Sequence, residues 1–322
     1  MTLTEDQVTR AWQIRQQFPP RIWFSAPGAK HYQNQYYENH VNSFVNVSVT
    51  GSACACRCEH CDARLLQTMI AVPTPGMFRQ VTEQLVNMGC QGVLVSGGAN
   101  QKGEVPLLPF MDAIADASRQ GLQILVHSGL VNRETAIQLK DAGVQQVLMD
   151  IIGDTETIQR VYHLDRRPRD YLQSMLYCRE AGLNIAPHIV IGLNYGQIRG
   201  ERHALQMIKQ ADPETIVLVV LTPAHGTAMA TVSPPNISEV GEIIAEAREA
   251  LPRTPIALGC ARPAGNYKRI LELEAVVCGV NGIAYPDEAT IVHAQNMGLE
   301  AVFSEACCSL IGRQVRAAMG KG

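Results

Sequence analysis

The sequence carries little charge and contains no long apolar run. Asp, Glu, Lys and Arg make up 18% of the 322 residues, and 27 basic against 30 acidic residues leave a net charge of −3 with histidine neutral. A charge this small, and of this sign, argues against a protein that binds nucleic acid by neutralising phosphates. The longest apolar stretches, such as residues 216–221, fall far short of the roughly 18 residues of a membrane span. We therefore expect neither a nucleic acid nor a membrane as a partner.

The first residues also lack the pattern of a secretory signal. Residues 1–6 contain no basic segment followed by an apolar one, which such signals require. We therefore expect a cytoplasmic protein. In that reducing compartment cysteines serve as ligands, nucleophiles or core residues rather than as disulfides. The ten cysteines of the chain must be interpreted by their positions.

Short β-type runs alternate with longer helical patterns from residue 44 onward. Several helical patterns end at a glycine, the residue that most readily adopts the left-handed conformation that closes a helix. Consecutive βα units without a compositional break favour an α/β fold of the (βα)8 TIM-barrel type over an open doubly wound sheet. The eight predicted strands cover residues 44–49, 92–95, 123–126, 146–150, 185–191, 215–221, 255–258 and 282–284.

The pattern divides the chain into three segments. Residues 1–43, with a helical start and a Pro- and Tyr-rich continuation, are expected to form an N-terminal helical and aromatic cap. Residues 44–300 form the barrel, and residues 301–322 form a C-terminal tail that folds over the barrel mouth. A TIM-type barrel carries its chemistry in the loops that follow its strands, so the functional residues are expected there.

A cluster of four cysteines directly follows the first predicted strand: Cys54, Cys56, Cys58 and Cys61. Several thiolates on one loop can hold a zinc ion or an iron–sulfur cluster, because soft sulfur ligands select these metals. Structural zinc loops usually bring a second pair of ligands from elsewhere after a spacer. The alternative uses Cys54, Cys58 and Cys61, spaced C-x3-C-x2-C, and leaves one iron of a 4Fe-4S cluster open.

This spacing resembles that of the radical S-adenosylmethionine (SAM) enzymes. The resemblance implies that the open iron binds the amino and carboxylate groups of SAM, and that an electron from the cluster cleaves SAM to a 5′-deoxyadenosyl radical. A ferredoxin or flavodoxin would supply that electron. His60 stands where the family usually carries an aromatic residue or histidine near the adenine. Cys56 is extra to the motif, and we expect it not to be a ligand.

Two strand ends resemble further cofactor-binding segments of the same family. Ser96, Gly97 and Gly98 resemble the motif whose backbone holds the amino group of SAM, although Ala99 replaces its usual glutamate. The segment that ends at Ile191 resembles the one that supports the adenine. The ordinary alternatives are a turn for the first segment and a buried strand end for the second.

His127 and Ser128 follow the third predicted strand. At that position they are candidates for hydrogen bonds to the ribose or the carboxylate of the cofactor. A plain turn is the alternative interpretation of this pair.

The blocks that flank the cysteine motif resemble a narrower group. Residues 44–69, together with residues 23–28, 259–263 and 272–286, resemble the biotin-synthase-like enzymes, and more closely the two-component lipoyl synthases. The resemblance spans about residues 21–310. It implies sulfur insertion at C6 or C8 of an octanoyl group that is linked to a lysine of a lipoyl carrier protein or domain, with a second synthase subunit as a partner. The sulfur would come from an auxiliary 4Fe-4S cluster that is consumed.

Three further cysteines are the expected ligands of that auxiliary cluster. Cys260 ends the seventh predicted strand, and the adjacent Cys307 and Cys308 lie in the tail that can fold back over the same mouth. The fourth ligand stays open among Cys56, Cys278, Ser304 and Ser309.

Two other functions compete with this hypothesis. One is a different biotin-synthase-like radical enzyme, a mutase or lyase that acts on an amino-acid-like substrate and carries only one cluster. The other is a non-catalytic zinc or electron-carrier protein, which would leave the eight-strand pattern and the glycine pair unexplained.

Overall fold

The computed structural model describes residues 3–320, and eleven strands lie within them. Each of the eight predicted strands is present, with bounds that differ by at most a few residues. The strands are β1 (Arg21–Ser25), β2 (Phe44–Ser48), β3 (Ile70–Ala71), β4 (Gly92–Ser96), β5 (Gln123–His127), β6 (Gln146–Asp150), β7 (Asn184–Ile191), β8 (Ile216–Val220), β9 (Ile256–Leu258), β10 (Gly282–Ala284) and β11 (Glu300–Ser304).

Helices follow most of the strands. Several begin at a side chain that accepts a hydrogen bond from the first turn, such as Thr4, Thr74 and Asn236, which satisfies backbone donors that the helix leaves free. No helix within residues 3–320 has the length and apolar character to cross a bilayer. The helices are α1 (Glu5–Arg15), α2 (Pro75–Asn87), α3 (Met111–Arg119), α4 (Arg133–Asp141), α5 (Thr155–Tyr162), α6 (Pro168–Glu180), α7 (Glu201–Ala211), α8 (Ile237–Ala250), α9 (Asn266–Val277), α10 (Glu288–Asn296) and α11 (Ile311–Ala318).

All strand pairs are parallel and form one curled sheet. The order is β11-β1-β10-β9-β8-β7-β6-β5-β4-β2-β3, so the eight predicted strands lie side by side in chain order. The α/β fold of the TIM-barrel type is therefore confirmed. Among the described residues no hydrogen-bonded pair joins β3 to β11, and the barrel is open between these two edges.

The N-terminal segment contributes to the sheet, which a simple cap does not. β1 pairs with β10 on one side and with β11 on the other. Prolines stand before and after this strand, at Pro20 and Pro27. They mask its short apolar run in the sequence, although a proline just outside a strand removes none of the strand's own hydrogen bonds.

The sheet buries both of its faces. The outer face packs residues such as Val47, Val95 and Leu218 against the helices in the main core. The inner face packs Phe44 and Leu125 with residues of the tail. Because side chains alternate between the two faces of a strand, every second residue of each strand lines the barrel interior.

The C-terminal tail runs inside the barrel and so lies deeper than a cover over its mouth. Leu310 is buried among inner-face residues that include Phe44, Leu125 and Leu148. A Cβ on Gly312 would lie 1.9 Å from Oγ1 of Thr215, the residue just before β8. The tail thus enters beside β11 at the carboxyl ends of the strands and reaches their opposite ends, filling the lower part of the barrel.

Candidate active site

The four clustered cysteines share one tight loop after β2. Cys56 and Cys58 are buried, and Cys54 and Cys61 are half-buried. Hydrogen bonds with the Cys54 and Cys58 thiols lower the pKa of Cys56 to about 4. Hydrogen bonds with Cys56 and Cys61, together with burial, raise the pKa of Cys58 far above its ordinary value. The thiols of the loop thus lie close enough to shift one another's pKa.

The backbone of this cysteine loop is tightly folded and firmly held. Arg57, Asp62 and Ala63 have positive φ angles of 46°, 44° and 61°, a conformation that non-glycine residues seldom adopt. The Ala55 amide donates to the Ala99 carbonyl at 2.8 Å, and the Glu59 amide donates to the Val161 carbonyl at 3.0 Å. Neighbouring segments therefore fix the positions of the thiols.

The arrangement fits an iron–sulfur cluster better than a single metal ion. Among residues 3–320 no three His, Cys, Asp or Glu side chains converge closely enough to hold one ion. The cysteine ligands of a cubane bind different irons, so their sulfur atoms need not converge on one point. Three thiols spaced along a rigid loop at the barrel mouth meet that requirement.

His60 lies within the cysteine loop with one nitrogen unused. Its Nδ1 is buried and has no hydrogen-bond partner, which is costly unless a ligand supplies one. Its ring lies 5.5 Å from that of Tyr162, and burial lowers its pKa. A neutral imidazole with a free polar atom suits a bound heterocycle, as the resemblance implies.

The glycine pair after β4 lies directly against the cysteine loop. A Cβ on Gly98 would lie 1.9 Å from the Ala53 carbonyl oxygen and 2.6 Å from Cα of Cys54. The Gly98 amide donates to Oγ1 of Thr50 at 2.7 Å. Gly97 is less crowded, with side-chain methyl groups 3.0 to 3.2 Å from such an atom. Gly98 is therefore required by the cysteine loop itself, whatever else the pair binds.

A polar cluster of His127, Asp150 and His188 lines the barrel interior beside the cysteine loop. Nε2 of His127 lies 3.6 Å from Oδ1 of Asp150, and the His127 and His188 rings lie 5.6 Å apart. The side chains of His127 and Asp150 are 27% and 30% exposed although both residues end inner strands. These residues therefore border open space inside the barrel.

The pKa values of this cluster follow from its mutual charges. Burial alone would raise the pKa of Asp150, but the hydrogen bond with His127 and the charges of His127, His188 and His60 lower it well below its usual range. Burial alone would lower the pKa of His127, but Asp150 raises it. Burial and the charge of His127 lower the pKa of His188 to about 4. Asp150 thus favours the protonated form of His127, and His188 beside it is a neutral imidazole at neutral pH.

Sequence reasoning selected His127 from this cluster and missed Asp150 and His188. Both lie within predicted strands, where a polar residue in an apolar run was the available signal. Tyr162, which donates to Oδ2 of Asp150 at 3.1 Å, was also missed because α5 was not predicted.

The other predicted cofactor residues lie in different environments. Ser96 ends β4, and its hydroxyl donates to the His127 carbonyl at 3.4 Å. Ser128 is buried, and its hydroxyl donates to the Gly129 carbonyl at 2.9 Å. Ile191 does not join them, because its side chain is fully buried in the main core between the sheet and the helices. Only its backbone borders the strand end, and a role of this segment in supporting the adenine stays a prediction.

The structure brings the three predicted auxiliary cysteines together inside the barrel. The hydrogen bond with the Cys307 thiol and burial raise the pKa of Cys308 well above its ordinary value, and a hydrogen bond from the Cys260 backbone amide opposes that rise only in part. Hydrogen bonds from Cys308 and Ser309 lower the pKa of Cys307 to about 6. Cys260 itself is exposed. Although the residue reaches the surface of the interior space, the protein groups packed around its thiol and the charge of Cys307 raise the pKa of Cys260, while the charges of Arg262 and Lys30 oppose the rise.

The candidates for a fourth ligand are separated by the fold. Cys278 ends α9 and is fully buried in the main core, outside the barrel interior, so that candidate is wrong. Cys56 lies with the loop cysteines. The Ser309 hydroxyl donates to Sγ of Cys307 at 3.4 Å, whereas the Ser304 hydroxyl accepts from Gln314 at 2.6 Å. Ser309 is the candidate in contact with the tail cysteines.

Arg262 holds the segment that carries Cys260. Its guanidinium is 2% exposed, forms an ion pair with the fully buried Glu272, and donates to the carbonyls of Gly259, Ala284 and Tyr285. Glu272 also accepts from the Asp287 amide and the Thr290 hydroxyl, each at 2.7 Å. The pair is therefore structural and joins the ends of β9 and β10.

Comparison with known proteins agrees with this site. The family model of the radical SAM superfamily matches residues 48–208, which include the cysteine loop and the polar cluster. Curated relatives include the biotin synthase of Prochlorococcus marinus subsp. pastoris, 25% identical over 57% of this chain and 54% of that protein. The biotin synthase of Cupriavidus necator is 27% identical over 56% of this chain and 52% of that protein. The chain thus spans about half the length of the curated relatives it matches.

Solved structures share the fold. Methylornithine synthase superposes with a TM-score of 0.65 at 14% identity, over 92% of this chain and 89% of that one. The FeFe-hydrogenase maturase of Carboxydothermus hydrogenoformans superposes with a TM-score of 0.63 at 15% identity, over 96% of this chain and 74% of that one. With the family match and the cysteine loop, the chain belongs to the radical S-adenosylmethionine superfamily and, within it, to the biotin-synthase-like group.

Proposed function

We propose that this radical SAM enzyme is a lipoyl synthase component that inserts sulfur at C6 or C8 of an octanoyl group carried on a lysine. The observation that carries the proposal is the convergence of Cys260, Cys307 and Cys308 inside the barrel. An enzyme that only rearranges or cleaves its substrate needs no second set of thiols facing the radical site, whereas a sulfur donor does. The proposal includes an auxiliary 4Fe-4S cluster on these cysteines.

The residues of the chain divide the work between two ends of the open space. At one end Cys54, Cys58 and Cys61 would hold the first cluster, which supplies the electron that cleaves SAM to a 5′-deoxyadenosyl radical. His60 and the glycine pair would position the cofactor beside it. At the other end Cys260, Cys307 and Cys308 would hold the sulfur source. The His127–Asp150 pair would line the space between them.

Partners follow from this chemistry. The substrate would be an octanoylated lipoyl carrier protein or domain, a second synthase subunit would treat the other carbon, and a ferredoxin- or flavodoxin-type donor would reduce the first cluster. Enclosure by the tail and by the segment around Tyr32 and Tyr37 would keep water from the radical. Tyr37 donates to Glu305 at 3.0 Å and stacks on Phe303 at 4.6 Å, which fastens that segment to the start of the tail.

Mass spectrometry of an octanoyl-lysine peptide tests the proposal. The reconstituted protein, its partner subunit, SAM and a strong reductant should add sulfur to the peptide. Cys58→Ala should abolish 5′-deoxyadenosine formation, whereas Cys260→Ala should preserve SAM cleavage and stop sulfur transfer. Cys278→Ala is the matched control, because that cysteine lies outside the barrel interior. Sulfur addition by Cys260→Ala protein would contradict the assignment of the sulfur site.

The names of the curated relatives favour a second candidate within sulfur chemistry, the insertion of sulfur into a biotin precursor. The same assay with that precursor in place of the peptide separates the two candidates. The one-cluster mutase or lyase is separated by iron and sulfide content, since about four irons per chain follow from a single cubane.

A further inference from the structure

The open interior of the barrel has a polar side and an apolar side. On the polar side the inner residues of β2, β4, β5, β6 and β7 at the carboxyl end are Ser48, Ser96, His127, Asp150 and His188. Strand register places them on one face, since Ser48 pairs with Ser96 and Asp150 pairs with His188. This side lies next to the cysteine loop, and its hydrogen-bonding groups suit the polar parts of a cofactor.

The apolar side begins on β7 itself. Val190 lies two residues beyond His188 and therefore on the same face of the strand. It is paired with Val219 of β8. The next inner residue along the sheet is Gly259, and a Cβ there would lie 2.6 Å from Cγ1 of Val219. Val219 packs with Ala257, Ala284 and Cys308 in one apolar cluster. From Val190 to β10 the inner face at this level carries no polar side chain.

Val190 and Val219 border the space that remains open. Val190 is half-buried and Val219 is 7% exposed, whereas the deeper Val217 and Ala257 are fully buried under the tail. Cys260, the exposed cysteine, directly follows Gly259 just beyond the end of β9. The two valines therefore lie between the polar cluster on one side and the predicted sulfur source on the other.

We propose that Val190 and Val219 form the wall along which the saturated acyl chain of the substrate lies, and that they set the chain length the enzyme accepts. This inference rests on the proposed function. A methylene chain gains from apolar contact about fourfold in affinity per CH2 removed from water. The polar cluster offers it no such gain. The two valines form the apolar inner surface next to Gly259, which directly precedes Cys260.

Phenylalanine substitutions at the two positions test the wall. Val219→Phe and Val190→Phe should reduce sulfur addition to an octanoyl-lysine peptide at least about tenfold, since one misplaced methylene in such a pocket costs that much. In the same two variants, the 5′-deoxyadenosine formation stimulated by a hexanoyl-lysine peptide should decrease less than that stimulated by the octanoyl-lysine peptide. Val292→Phe, at a 39% exposed position on α10, is the matched control.

A second pair of variants covers the case in which the larger side chain disturbs folding. Val219→Ala and Val190→Ala widen the space and should raise the ratio of decanoyl to octanoyl peptide binding at least about threefold. Binding is measured by fluorescence anisotropy of labelled peptides with SAM and no reductant. An unchanged ratio in both alanine variants, or octanoyl turnover within twofold of wild type in both phenylalanine variants, overturns the inference.

The same measurements distinguish failure of the wall from failure of the proposed function. If wild type adds sulfur to the octanoyl peptide and the variants do so equally well, the wall is wrong and the function stands. If wild type binds octanoyl peptides through the two valines but adds no sulfur, the wall stands and the function is wrong. If wild type neither binds nor modifies the octanoyl peptide, both are overturned.

Discussion

Replacing Gly98 by alanine adds a single methyl group at the closest approach between two functional segments. The new Cβ would lie 1.9 Å from the Ala53 carbonyl oxygen and 2.6 Å from both Cα and Cβ of Cys54. These are mainly backbone atoms, which cannot swing aside as the end of a side chain can. Gly97→Ala is the natural comparison, because the same methyl group there would meet side-chain methyl groups at 3.0 Å or more.

The cost of Gly98→Ala follows from the required displacement. The cysteine loop must retreat by roughly 1 Å, and overpacking of this kind costs about 1–3 kcal/mol. If that cost falls on the native loop conformation, the fraction of molecules with correctly placed thiols decreases about five- to 150-fold. Gly97→Ala should cost under about 1 kcal/mol, because Val49, Val105 and Thr50 can each shift slightly.

Two measurements on the reconstituted proteins check this reasoning. We expect Gly98→Ala to lose most of the electron paramagnetic resonance signal of the reduced SAM-bound cluster, and at least about fivefold of the SAM cleavage measured without substrate. Gly97→Ala should keep the cluster, with an electron paramagnetic resonance signal at least about fivefold larger than that of Gly98→Ala. If both variants keep a full cluster and both bind SAM weakly, the glycines serve only the cofactor and our steric account is refuted.

Three further predictions concern the parts that support the site. Leu310→Ala should lower the free energy of unfolding by about 2–5 kcal/mol, because Leu310 fills the barrel interior, while Leu108→Ala at a 45% exposed position should cost under about 0.5 kcal/mol in the same denaturant titration. Glu272→Gln should lower the free energy of unfolding by about 3–5 kcal/mol, because it leaves the Arg262 charge buried and unpaired. The double variant Arg262→Met with Glu272→Leu should recover part of that loss. Equal melting temperatures for the single and double variants would contradict this prediction. The pKa of His188 is about 4 in the folded protein and about 6.5 in the unfolded chain, so this residue should lower the stability of the protein as the pH falls from 6.5 towards 4. The test compares the melting temperatures of wild type and His188→Gln over that pH range. A difference between them that does not change with pH would contradict the prediction.

The sequence predicted those parts of the fold whose signal is local. Buried parallel strands such as Gln146–Asp150 and Ile216–Val220 consist of nearly continuous apolar residues, and such runs between helical patterns are distinctive. β1 and β11 carried the same kind of run but lay outside the repeating βα pattern. Their place in the sheet depends on pairing with each other and with β10, which no local signal contains.

The site divides in the same way. The spacing of Cys54, Cys58 and Cys61 within eight residues was sufficient to predict a shared centre. The proximity of Cys260 to the tail cysteines depends on the strand order and on a tail that returns to the barrel, and the predicted barrel pattern together with the family resemblance suggested it. Asp150 and His188 were missed because their role depends on register, which brings residues from neighbouring strands onto one inner face.

The tail inside the barrel also imposes an order on how the protein matures. The cysteine loop belongs to the first βα unit and leaves the ribosome early, whereas Cys307 and Cys308 emerge only after all eleven strands have been made. Cluster delivery to the loop can therefore start on a nascent chain, but the second set of thiols exists only once the finished strands have closed around the tail. If the tail cysteines hold a second cluster as proposed, that cluster can be delivered only to the finished chain.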